Sequence, residues 1–197
     1  MKRMCTLLLA TLVLTGGSVS AAFAAGVYPQ DIINTTYFVA VSTLMDIRAI
    51  TGDDDGLFHP EKPITRAECS ALLARSTNNK EIVIEEAAKK EYFSDLDDYG
   101  WVKGYINRCY ENGWIKGSGE GRFDPGDDAT YAEVITMLIR VKRRGGELEG
   151  SWPRNYIEYA TMYNMPGDVT IKDWNAPAAK GDVAKLVYRI IDPADAF

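Results

Sequence analysis

Two textures alternate along the chain. Apolar residues recur three and four positions apart, then give way to short runs of glycine, aspartate and proline. The first texture predicts amphipathic helices and the second predicts tight loops. A first helix is expected over 36–48, with Val41, Leu44 and Met45 on one face. A second starts at Thr65 and runs to about Arg75, burying Leu72 and Leu73. A third spans 101–111 with Trp101, Tyr105, Ile106 and Cys109 inward, and Asn112-Gly113 ends it. A fourth follows Thr130, with Val134, Ile135, Leu138 and Ile139 inward. Its end, Arg140 to Arg144, reads as a solvated basic terminus, and Gly145-Gly146 breaks it. A last helix carries Val183, Leu186, Val187 and Ile190.

The loops and the helix starts repeat. Gly52, Phe58, Pro60, Thr65 and Glu68 recur 65 residues later as Gly117, Phe123, Pro125, Thr130 and Glu133. Repetition at a fixed period marks stacked structural units. Thr65 with Glu68, and Thr130 with Glu133, have the spacing of a capping box. Phe58, Phe123 and Ile115 plug the loops into the core. A third, eroded copy follows. Trp152, Tyr156 and Ile157 stand 51 residues after Trp101, Tyr105 and Ile106. Pro177 to Asp182 takes the motif's place, and the glycine-to-acid spacing is 15 residues against 16 in the other two. Trp174 stands in for the missing phenylalanine. The units are 27–78, 92–144 and 150–197. Between the first two, 79–91 reads as a charged, solvated connector, with a turn at Asn78-Asn79 and Glu81 to Ile84 open to strand or helix. Units this short bury a face only against one another. The fold class is therefore all-α: three helix-loop-helix repeats, pseudo-threefold, around a central bundle. The first helices are expected at the centre and the second helices outside.

Composition sharpens the picture. The formal net charge is −6, which argues against a general nucleic-acid binder. Met1-Lys2-Arg3, the apolar run Leu7 to Leu14 and Ala22-Phe23-Ala24 read as a secretory signal peptide over 1–24. No later stretch is long and apolar enough to span a bilayer, so no integral membrane contact is expected. Export permits a disulfide between Cys69 and Cys109, but each sits at an apolar helix position, which favours two buried free thiols. Two cysteines and the lone His59 make a poor metal set. The Asp53-Asp54-Asp55-Gly56 run fails calcium-loop spacing, because Thr51 and Lys62 fall where carboxylates are needed. His59 lies in a structural turn and no second histidine can act as a base, so no catalytic residue, metal or cofactor is assigned.

The residues that repeat carry a resemblance. Phe58-His59-Pro60 with Thr65-Arg66-Ala67-Glu68, and Phe123-Asp124-Pro125 with Thr130-Tyr131-Ala132-Glu133, resemble the signature of the S-layer homology domain family. The third copy keeps Lys180 and Asp182 at the arginine and glutamate places. The resemblance implies a secreted module of the bacterial cell wall or S-layer. It implies non-covalent binding to peptidoglycan-linked secondary wall polysaccharide, often bearing ketal-linked pyruvate, in grooves between repeats. By carry-over Arg66 is the leading glycan contact, then Lys180, with Thr65, Tyr131 and Trp114 beside them. A guanidinium can grip the pyruvyl carboxylate with two parallel hydrogen bonds, and free amides at the helix start would add to it. Trp101 and Trp152 read as packing residues. The alternative is a surface module that binds other proteins and has lost its glycan.

Overall fold

The computed structural model describes residues 28–77 and 81–191. The expected signal peptide over 1–24 and the expected turn at Asn78-Asn79 lie outside them. Helices are α1 (Phe38–Asp46), α2 (Arg66–Ser76), α3 (Glu81–Ala88), α4 (Gly100–Glu111), α5 (Tyr131–Lys142), α6 (Arg154–Met162) and α7 (Lys180–Ile191). Short 3-10 turns at Gln30–Ile32 and Asp97–Tyr99 complete the set. Among the described residues there is no β-sheet, only isolated bridges between loops.

Both capping boxes form. The N–H of Glu68 donates to Thr65 Oγ1 at 3.2 Å and the N–H of Thr65 donates to Glu68 Oε2 at 2.8 Å. Thr130 and Glu133 repeat the arrangement at the same two distances. The Phe-x-Pro turns are built alike too. His59 and Asp124 both take left-handed backbone, with φ of 55° and 53°, a region histidine and aspartate enter more readily than most side chains. A carboxylate ahead of each first helix gathers the amides beside it. Asp31 accepts from the N–H groups of Phe58 and His59, and Asp95 from those of Phe123 and Asp124. Phe58 and Phe123 are buried as expected.

The second helices hold the centre, reversing the expectation. In α5 every residue from Val134 to Arg140 is buried, and in α2 every residue from Cys69 to Ala74. In α6 only Tyr156 and Ala160 are buried. Helices buried all round belong inside, and the first helices carry too many polar faces for that place. α2 packs on α4, α5 on α6 and α7 on α1, and α7 also meets both α2 and α5.

Backbone hydrogen bonds among the loops ahead of α2, α5 and α7 form a ring. The N–H of Ile64 donates to Ala178 O, that of Ala178 to Ala129 O, and that of Ala129 to Ile64 O, at 2.8–2.9 Å. One turn further on, the first helical amides cross to the neighbouring loop. Arg66 and Ala67 donate to the carbonyls of Asp127 and Pro125, Tyr131 and Ala132 to Ala176 and Trp174, and Lys180 and Gly181 to Lys62 and Pro60. Trp174 thus supplies the carbonyl that proline supplies elsewhere, and does not replace the phenylalanine.

The connector takes the helical of the two states left open for it, but it docks on its neighbour instead of standing in solvent. Residues 81–88 form a helix packed on α4. Gly104 makes this possible, since a Cβ there would lie 2.5 Å from the Ile84 carbonyl oxygen. Asn107, fully buried, donates to Ala87 O and Lys90 O and fastens the helix end.

Candidate functional site

Two clefts open where units meet, and they are built from corresponding residues. The first, about 160 Å³, is lined by Lys180 from the start of α7, Glu68 and Arg75 from α2, Asp53 from the loop, and Trp101 from α4. The second, about 590 Å³, is lined by Arg66 from the start of α2, Glu133 and Arg140 from α5, Lys116 from the loop, and Trp152, Asn155 and Tyr156 from or just before α6. Each cleft thus draws on four separate stretches of chain.

Arg66 does sit at an inter-unit cleft, yet it is only 7% exposed. Its Nη1 pairs with Glu133 Oε1, its Nε donates to Phe123 O at 2.9 Å, and its Nη2 donates to Lys116 O at 3.3 Å. Its guanidinium carbon lies 4.5 Å from the centroid of the Phe123 ring. This side chain welds the start of α2 to the loop that carries Lys116 and Phe123. The expected free amides are absent as well, because those of Arg66 and Ala67 are spent on the neighbouring loop and that of Glu68 on the cap.

Lys180 lies in the first cleft, with its Nζ 3.1 Å from Asp53 Oδ1 and 3.7 Å from Glu68 Oε1. Tyr131, at the third equivalent place, donates its hydroxyl to Asp182 Oδ2 at 2.6 Å. Burial and that hydrogen bond push its pKa up to about 12. Thr65 is consumed by its cap and lines neither cleft, and Trp114 packs half-buried against the core.

Residues the sequence reading undervalued are more prominent. Trp101 and Trp152, expected to pack inward, are 57% and 53% exposed and stand at the cleft walls. The indole N–H of Trp152 donates to Thr136 Oγ1 at 2.9 Å, which orients the ring. Arg140, expected at a solvated helix end, is buried against Tyr156. Arg75 lies over Tyr105 in the same way, 4.6 Å from its centroid. The signal was present: Arg75, Arg140 and Arg189 each follow Arg66, Tyr131 and Lys180 by nine residues.

The two thiols are free and buried, and burial pushes Cys69 up to about 12 and Cys109 upward as well.

The model of the S-layer homology domain matches residues 48–68 and 92–135, the two stretches that carry the repeated loops and capping boxes. These two stretches are similar to the S-layer homology domain. The match to that S-layer homology model includes Arg66 and Glu133, but not the region after 135. Among relatives, a middle cell wall protein of Brevibacillus brevis is 29% identical over 151 residues, 75% of this chain and 14% of that protein. A surface-layer 125 kDa protein of Lysinibacillus sphaericus is 29% identical over 172 residues, 80% of this chain and 14% of that one. An exoglucanase of Acetivibrio thermocellus is 29% identical over 157 residues, 80% of this chain and 13% of that enzyme. The chain therefore spans a small part of the length of these curated relatives.

Proposed function

We propose that this chain is a non-catalytic module that works outside the cell and holds its protein on the bacterial wall. It does so by binding an acidic, pyruvyl-bearing wall polysaccharide in clefts between three helix-loop-helix units set about a pseudo-threefold axis. The packing of α7 on both α2 and α5, the Arg66–Glu133 and Cys69–Met137 contacts between α2 and α5, and the ring of backbone hydrogen bonds support that arrangement. The aligned stretch recurs in a cell wall protein, a surface-layer protein and an exoglucanase. What those three share is therefore not a reaction.

The observation that carries the ligand reading is the pairing, in both clefts, of an exposed tryptophan with basic side chains. A pyruvyl sugar presents a carboxylate and an apolar C–H face on one small body. A guanidinium or ammonium meets the first and an indole face meets the second. In this reading Lys180, Arg75 and Trp101 serve the first cleft, while Arg66 braces the second and Arg140 and Trp152 serve it. Thr65 and Tyr131 hold the frame. Two weak sites on one body, engaging one polymer, bind together more tightly than either alone.

Co-sedimentation with purified wall sacculi tests this. The chain should pellet with sacculi, lose most binding when pyruvyl groups are removed by mild acid, and lose roughly tenfold in the Arg75→Ala, Trp101→Ala double variant, in line with the loss of a charged and a stacking contact. Undiminished binding in both cases overturns the assigned ligand. One observation favours a second reading, a surface module that binds protein: Arg66 is already fully engaged within the chain.

A further inference from the structure

The two clefts share a tryptophan (Trp101, Trp152), a motif glutamate (Glu68, Glu133) and a helix arginine (Arg75, Arg140), and they differ in what meets that arginine. In the first, Arg75 lies over Tyr105 and has no ion pair among the described residues. In the second, its counterpart Arg140 is met by Glu147. That residue belongs to the short crossing from α5 to α6, bounded by Gly145 and Gly150, whose φ values are 85° and 105°. Glu147 Oε1 lies 3.2 Å from Arg140 Nε and 3.1 Å from Lys116 Nζ. Its Oε2 accepts from Arg140 Nη2 at 3.3 Å and from the Tyr156 hydroxyl at 2.7 Å. The crossing is tied down on both sides: Arg143 Nη2 donates to Glu147 O, and Asn155 Nδ2 donates to Leu148 O.

We propose that Glu147 is an internal occupant of the second cleft's carboxylate position, so that this cleft accepts an acidic sugar only when Glu147 swings out, while Arg75 in the first cleft meets no such carboxylate. The inference rests on the glycan reading above. A guanidinium, an ammonium and a phenol hydroxyl converge on Glu147, the donor set that a carboxylate-bearing ligand would require. The fit is incomplete: Arg140 Nε, though buried, is not aligned for a hydrogen bond, and Asn155 Oδ1 in the same wall has no partner either. The Arg140 side chain is 8% exposed and that of Glu147 is 47% exposed. Glu147 can therefore leave into water without crossing the core, and Arg140 stays behind as the fixed half of the pair. Such self-occupancy lowers apparent affinity by the fraction of time that the position is filled.

The test compares the full chain with Glu147→Gln by nuclear magnetic resonance, following the indole N–H signals of Trp101 and Trp152. The probes are the methyl glycoside of a hexose carrying a 4,6-pyruvyl ketal, its neutral methyl ester, and sodium acetate. In the native chain Trp101 should respond to the acid at lower concentration than Trp152. In Glu147→Gln the Trp152 response to the acid should tighten by about tenfold, the Trp101 response should stay put, and the ester should gain nothing. Acetate should reach Trp152 in the variant alone, which examines the Glu147 position without any sugar. An unchanged or weakened Trp152 response to the acid, or an equal gain for the ester, overturns the proposal. If sacculi still bind while Trp152 is unmoved by the substitution, only this inference fails. If sacculi do not bind, the glycan reading fails and the acetate result still decides the role of Glu147.

Discussion

Arg66 carries a structural debt that its place in the motif conceals. Removing it strands Glu133, the carbonyl of Phe123 and a ring face together. Breaking a fully buried ion pair costs about 3–5 kcal/mol. Glu133 is a quarter exposed, so Arg66→Ala should lose about 3 kcal/mol or somewhat less in urea unfolding. A loss of wall binding in that variant should therefore be read beside its unfolding curve. The Glu147 carboxyl gives a second residue-scale expectation. Burial pulls its pKa upward, but hydrogen bonds from Tyr156, Lys116 and Arg140 prevail and hold it at about 2, against an ordinary 4.5. The unfolded chain then takes up this proton first as pH falls. The cluster's contribution to stability is complete above about pH 4.5 and fades toward pH 2. Thermal midpoints should show it: the gap between the native chain and Glu147→Gln should be steady from pH 5 to 7 and close as pH approaches 2. The motif arginine was legible from sequence and its engagement was not, because Glu133, its partner, lies 67 residues away. Arg75 and Arg140 were legible in principle through their nine-residue spacing.

At the level of helices, α3 shows how a single small residue decides a contact. Alanine in place of Gly104 would favour the helical state of α4 by about 1 kcal/mol. Its Cβ, however, would meet the Ile84 carbonyl oxygen at 2.5 Å and Ile84 Cγ2 at 2.8 Å. A clash with main chain cannot relax by a rotamer change, and overpacking costs about 1–3 kcal/mol. Gly104→Ala should therefore be net destabilising, and amide hydrogen exchange should speed up in 81–90 more than in α5. The charged pattern of 85–91 concealed the docking of this helix, since that depends on an absence of side chain in α4. The capping boxes were fully legible, because both partners lie within one turn. α2 holds both Cys69 and its neighbours entirely inside. The two thiols should resist a disulfide reagent at pH 8 in the folded protein, and should react at the rate of global unfolding, since burial keeps them protonated.

Over the whole molecule, stability rests on contacts between stretches far apart in sequence. α7 covers α1, and Ile64, Ala129 and Ala178 are joined in one ring. No unit has a core of its own, so unfolding should be a single transition, with far-ultraviolet dichroism and tryptophan fluorescence coinciding. Ala178→Pro removes one donor of the ring and should cost about 3 kcal/mol, as loss of a buried backbone bond with added strain does, lowering the midpoint of the entire transition and not of α7 alone. The repeated loops made the overall plan legible. Which helices lie inside was not, since α2 and α4 offer comparable apolar stripes and only the pairing of their neighbours separates them.

That ring has an implication for valence. An open stack of repeats can gain grip by adding one more copy at either end. Here the end of the series is already bonded to its beginning, through the N–H of Ile64 and the carbonyl of Ala178. An additional copy would find no free face to join. If the proposed glycan reading holds, a firmer hold would call for another complete circle, or more molecules side by side, because the closed ring leaves no place for a further seat.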